Sequence, residues 1–136
     1  MACADKVLSI NLNNDLNNKN LLLRYLKDDK LSNLALDYCN TINQKYPYLE
    51  LTVRWNLPAF VFGDRTIAFL IIKTELEKTK FLKPHLFLGF VSGYKLFADK
   101  IFEDTSHTNV RYVDITKLSN TKIAKIIDIL GQSMEL

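Results

Sequence analysis

A chain of 136 residues with 48% hydrophobic content, including 8 Phe, 6 Tyr and 1 Trp, can bury roughly two-thirds of its unfolded surface without a disulfide or metal staple, which excludes a disordered chain. Its 18 basic and 15 acidic residues are interleaved and only four of the cations are Arg, whereas a nucleic-acid footprint clusters positive charge and favours Arg, so no nucleic-acid partner is expected. The longest apolar run, Ile67 to Ile72, is far shorter than the roughly 18 residues of a membrane span, and Met1 to Lys6 lacks the apolar core of a secretory signal, so residence is expected in the cytoplasm, by elimination and with no membrane partner.

The chain opens on a biased stretch: six of the ten positions from Asn11 to Asn20 are Asn. Asn competes for backbone hydrogen bonds and favours turns over helix interiors, so residues 1–20 read as a loose arm and residues 21–136 as one domain. A Leu-rich turn at Leu21 to Leu26 leads to a stronger amphipathic helix after Asp28 and Asp29, with Leu31, Leu34, Ala35, Tyr38 and Ile42 on one face. Pro47 closes it, because the residue before a proline is pushed out of the helical region.

Beyond Pro47 the period becomes two. Leu51, Val53 and Trp55 alternate with Thr52 and Arg54 as in a half-buried strand. Ala59 to Phe62, the turn pair Gly63-Asp64 and the return from Arg65 form a hairpin. Ile67 to Ile72 shows no alternation, as expected of a central strand covered on both faces. Lys73 to Lys83 reads as a charged connection, His85 to Val91 as another strand, Gly93 to Phe97 as a short helix or turn, and Glu103 to Asn109 as a polar loop. Alternation resumes from Arg111 to Ile115. A last helix starts at Ser119 or Asn120, places Ile123, Ile126, Ile127 and Leu130 on one face, and is expected to end at Gly131. The order predicts an α+β fold: N-terminal helices, a single antiparallel sheet of four or five strands, and a C-terminal amphipathic helix.

Catalytic motifs are weak. His85 and His107 have no second ligand at metal-binding spacing. In Gly89-Phe90-Val91-Ser92-Gly93 the serine stands one place late for a nucleophile elbow, and the same glycines fail the phosphate-loop pattern. Cys3 and Cys39 match neither a zinc nor a redox spacing and read as reduced thiols. The richest segment is Arg54 to Phe60, where a strand carrying the only Trp meets a proline, which marks an edge, a bulge or a bend. Either Trp55 and Phe60 anchor the hairpin to the helices, or an aromatic beside a polar amide, Trp55 next to Asn56, walls a small-ligand pocket.

These residues carry a resemblance. W-x-x-P-x-F at Trp55, Pro58 and Phe60, Gly63 at the turn, K-P-H-L-F-L-G-F-V-S-G from Lys83 to Gly93, Arg111 and the terminal helix together resemble the YdhG-like family, a widespread bacterial domain of unknown function, over roughly residues 20–131. The resemblance implies a single curved antiparallel sheet and little about activity. Some relatives are described as frataxin-like intracellular iron chaperones. This chain departs from that role in its scattered acids, its positive charge and the absence of glycine from Glu103 to Asn109.

The functional expectation is a non-enzymatic cytosolic binding or accessory domain, with Trp55, Asn56, His85, Lys95 and Arg111 as candidate contacts for a small anionic ligand, Arg111 being suited to the anion. A protein partner is an open alternative, as is monomer or homodimer, and no cofactor is expected. A second reading is an iron chaperone using Glu75, Glu77, Glu103 and Asp104. A third is a minor hydrolase or transferase built on His85 with Ser92.

Overall fold

The computed structural model describes residues 16–76, 79–92, 110–117 and 119–136. Helix α1 spans residues 16–26, buries Leu22 and Leu26, and ends where Lys27 turns left-handed (φ 58°). Of the segment read as a loose arm, residues 16–20 are helical, as the first turns of a helix anchored further on by the buried Leu22 and Leu26; residues 1–15 lie outside the described ones.

Asp28 caps helix α2 (Asp29–Lys45) by accepting the Leu31 amide at 2.9 Å, satisfying one of the donors that a helix start leaves orphaned. As the spacing predicts, Leu31, Ala35 and Ile42 are buried and Leu34 and Tyr38 half-buried; Cys39, four beyond Ala35, joins them. Burial pushes the Cys39 thiol up to about 12, so it is an unreactive packing group. The helix stops two residues before Pro47.

Five strands follow: β1 (Glu50–Arg54), β2 (Leu57–Phe62), β3 (Arg65–Leu76), β4 (Thr79–Phe90) and β5 (Arg111–Asp114). They pair antiparallel in sequence order, with β3 in the centre as its unalternating apolar run implies. Trp55 (φ 53°) and Asn56 (φ 62°) form a two-residue turn of the mirror-image type that fits strand twist. Its closing pair is Arg54–Leu57, so Val53–Pro58 is a non-hydrogen-bonded pair. The missing N–H of Pro58 thus faces β3, whose pairing with β2 begins only at Ala59. The Gly63-Asp64 hairpin forms as predicted, closed by Phe62–Arg65.

The charged connection expected from Lys73 to Lys83 is instead a β-arm. β3 runs on to Leu76, β4 starts at Thr79, and Lys73 pairs with His85 and Glu75 with Lys80. Ladder hydrogen bonds do not depend on side-chain polarity, and opposite charges facing each other across a ladder favour the pairing. Accordingly His85 lies inside β4 rather than at its start.

Helix α3 (Asn120–Glu135) is capped by Ser119, which accepts the Lys122 amide. Gly131 does not end it. A Cβ there would lie 2.5 Å from the Tyr46 hydroxyl, which donates to the Ile127 carbonyl at 2.8 Å; the glycine makes room for this tie between α2 and α3. The C-terminal carbonyls are taken by Arg65, which reaches Ser133 O at 3.2 Å and Met134 O at 2.7 Å.

The three helices described pack on one face of the sheet. Leu22, Leu31, Ala35, Ile42, Ile126, Ile129 and Leu130 meet Phe60, Leu70, Leu86, Leu88, Phe90, Val113 and Ile115, each large side chain contributing about 1.5–3 kcal/mol by leaving water. The void among Tyr38, Ile42, Phe60, Leu70, Leu88, Ile115 and Ile126 is only about 10 Å³, no more than one water fills. This interface is packed core.

Candidate functional site

Alternation sends every second side chain of β3, β4 and β5 to the opposite face, where no described helix packs. Ala59, Phe69, Leu76, Phe87 and Tyr112 form a second buried cluster there, joined by Leu57, Ile71, Phe81, Val91 and Val110. Its centre is a row of rings in edge and tilted contact: Trp55 to Phe69 at 6.1 Å, Phe69 to Tyr112 at 5.9 Å, Tyr112 to Phe87 at 6.4 Å and Phe87 to Phe81 at 5.8 Å. Such geometry matches positive ring edges to negative faces. Gly89, opposite Phe69 in the ladder, lets the row close. A Cβ there would meet Phe69 Cζ at 2.6 Å.

The row ends in polar groups. The His85 ring stacks on Phe81 at 4.1 Å and 13°, and its Nδ1 lies 2.6 Å from Asp114 Oδ2 on β5. The Thr116 amide donates to Asp114 Oδ1 at 2.9 Å, and the Thr116 hydroxyl accepts the Leu86 amide at 2.8 Å, which ties the end of β5 to β4. Burial raises the Asp114 pKa, but hydrogen bonds from His85 and Thr116, with the His85 charge, pull it net below the ordinary 3.8. With Nδ1–H committed to the carboxylate, Nε2 is the free pole of the imidazole, in a side chain 31% exposed. Lys73, directly opposite His85, holds its Nζ 4.4 Å above the Tyr112 ring, a cation–π contact.

Trp55, Asn56 and His85 are described, and Trp55 and His85 share this face at opposite ends of the aromatic row. Phe60, by contrast, is in the helix-side core, so Trp55 and Phe60 do not anchor the hairpin together. Arg111 pairs with Phe90, a helix-side residue, so strand alternation puts it across the sheet from Trp55 and the two do not share a pocket. Its Nη1 donates to the Val110 carbonyl at 3.1 Å. Lys95 lies outside the described residues, as do Glu77, Glu103, Asp104 and the segments Gly93 to Phe97 and Glu103 to Asn109. Glu75 is exposed and paired with Lys80 in the ladder. Among the described residues no three His, Cys, Asp or Glu side chains gather to hold a metal ion. About 17 Å of extended strand separates His85 from Phe90 alone, which removes Ser92 from reach of the imidazole.

The sequence reading missed Lys73, Asp114 and Thr116. Asp114 lies in the strand read from Arg111 to Ile115, and its 29-residue separation from His85 shows no periodic signal. Only the β4–β5 register, Phe87 opposite Asp114, brings the carboxylate beside the ring.

No protein-family model and no curated protein matches the sequence. A solved structure does: the crystal structure of a protein from the DUF1801 family, YdhG of Bacillus subtilis, is similar over 87% of this chain and 93% of that one, with a TM-score of 0.54 and 16% sequence identity. The two share a fold, the one that the resemblance to the YdhG-like family implies. No helix among the described residues is long and apolar enough to cross a membrane.

Proposed function

We propose that the chain is a non-enzymatic binding domain that takes a small anionic ligand on the face of its sheet opposite the described helices, between Lys73 and His85. The observation that carries this reading is the direct pairing of the two across β3 and β4, with the imidazole locked by Asp114 at 2.6 Å. Cross-strand partners hold their Cβ atoms about 5 Å apart, which lets an ammonium and, when the ring carries both protons, the imidazole Nε2–H converge on one oxyanion. Asp114 fixes the ring through Nδ1, while Tyr112 holds the ammonium on the same face. The resemblance of W-x-x-P-x-F and K-P-H-L-F-L-G-F-V-S-G to the YdhG-like family, together with the fold shared with its solved member, supports placing the chain there.

The test is to follow the His85 ring resonances while titrating inorganic phosphate and then small carboxylates. A saturable shift that weakens about tenfold in Lys73→Gln, the loss of one charge-assisted hydrogen bond, is the expected result. Ring resonances that stay fixed to millimolar anion would end this reading.

A further inference from the structure

The turn between β1 and β2 carries residues that its geometry disfavours. A two-residue turn of this type needs positive φ at both positions, which is why Asn-Gly is the usual pair. Here the positions hold Trp55 (φ 53°) and Asn56 (φ 62°). Asn tolerates the left-handed region, but a bulky aromatic is seldom found there.

Burial does not repay this cost. Trp55 is 64% exposed, and its ring contact is edge-on, at 85°, to Phe69. Phe69 is itself wedged over Gly89 and against Tyr112, so the indole meets a closely packed base and leaves most of its surface open. The neighbouring Asn56 is exposed, and its carboxamide has no hydrogen-bond partner among the described residues. Backbone strain of this kind persists where function requires the side chain that causes it.

The surroundings narrow the ligand. Arg54 and Asn56 beside the indole are polar and exposed, and the other exposed aromatic of the hairpin, Phe62, lies at the far end of β2. The apolar patch is therefore about one ring wide, too small for the buried centre of a protein interface. An indole face next to a free carboxamide matches a flat ring with a donor and an acceptor along one edge.

We propose that Trp55 and Asn56 form a recognition tip for a planar heteroaromatic ring of the nucleobase type. The ring stacks on the indole while the Asn56 carboxamide pairs with a ring nitrogen and the adjacent exocyclic amine. This tip stands at the other end of the aromatic row from His85 and does not depend on the anion site.

Trp55 is the only tryptophan, so its fluorescence reports on this place alone. Adenosine should quench it saturably and ribose should not; absence of quenching by adenosine overturns the proposal. Asn56→Gly, which keeps the indole and gives the turn its preferred second residue, should raise the melting temperature yet weaken adenosine binding about tenfold, the loss of one bidentate contact. An unchanged affinity overturns the hydrogen-bonding half. A double variant, Trp55→Asn with Asn56→Gly, should melt higher than the wild type and show no amide shifts with adenosine by NMR. Melting below the wild type would make Trp55 a packing residue and overturn the argument from strain.

Discussion

The two faces of this sheet are built from the same strands, one residue out of step, and they solve burial differently. On the helix side, Leu70, Leu86, Leu88, Val113 and Ile115 interdigitate with aliphatic residues of α2 and α3. The opposite face uses rings. Phe69, Phe87 and Tyr112 are each under a tenth exposed, and they meet one another edge to face, with the half-buried Phe81 and the exposed Trp55 at the two ends of the row. A ring brings a large apolar area with few rotamers, and among the described residues the row packs ring on ring with polar groups such as Lys73 and His85 beside it. An aliphatic layer needs a second layer to meet it, which leaves little room for chemistry.

The largest test of that difference compares one phenylalanine from each side. Phe90, fully buried against the helices, should lose about 3–5 kcal/mol as Phe90→Ala, since the cavity cannot collapse between two packed layers. Phe81, half-buried and stacked on His85, should lose only about 0.5–1.5 kcal/mol as Phe81→Ala. Denaturant unfolding of both variants measures this, and equal losses would erase the distinction between the helix-packed face and the ring-packed one.

Next in size is Gly89→Ala. The new methyl would collide with the Phe69 ring, and because that ring is held between Trp55 and Tyr112, it has little space to give. A cost of about 1–3 kcal/mol follows from overpacking, together with a shift in Trp55 emission as its base moves. Loss of stability with unaltered emission would mean that the row is not mechanically continuous.

Much of the layered side was legible in the sequence, and little of the site was. Helical periodicity placed Leu31, Ala35 and Ile42 inward, Asp28-Asp29 and Ser119-Asn120 marked the starts of their helices, and the unbroken run at Ile67 to Ile72 gave the central strand, because each of these is a local signal read within a few turns or one hairpin. Gly131 misled because a glycine near a helix end looks like a stop, whereas its reason is Tyr46, reaching over from α2. The arm formed by β3 and β4 was hidden since its charged residues face solvent, where a ladder and a loop have the same composition. The pairing of Lys73 with His85 then went unseen along with it. Arg111 and Trp55 both lie near strand ends, and only the register of β5 on β4 shows that they lie across the sheet from each other.

The smallest effect concerns Asp114 and its dependence on pH. Its carboxyl titrates below 3.8 in the folded protein despite partial burial, because His85 and Thr116 hydrogen-bond to the ionised form. A depressed pKa means that the folded state holds its proton less tightly than the unfolded chain, so the stabilisation is full above 3.8 and is lost as pH falls through the lower folded value. Asp114→Asn should therefore cost about 1 kcal/mol near neutrality, the size of a partly exposed hydrogen bond. The gap in melting temperature between variant and wild type should hold down to about pH 4 and close below it. A gap that persists into stronger acid would show that Asp114 acts on this face through shape alone, and the aromatic row would then position His85 by stacking without help from the carboxylate.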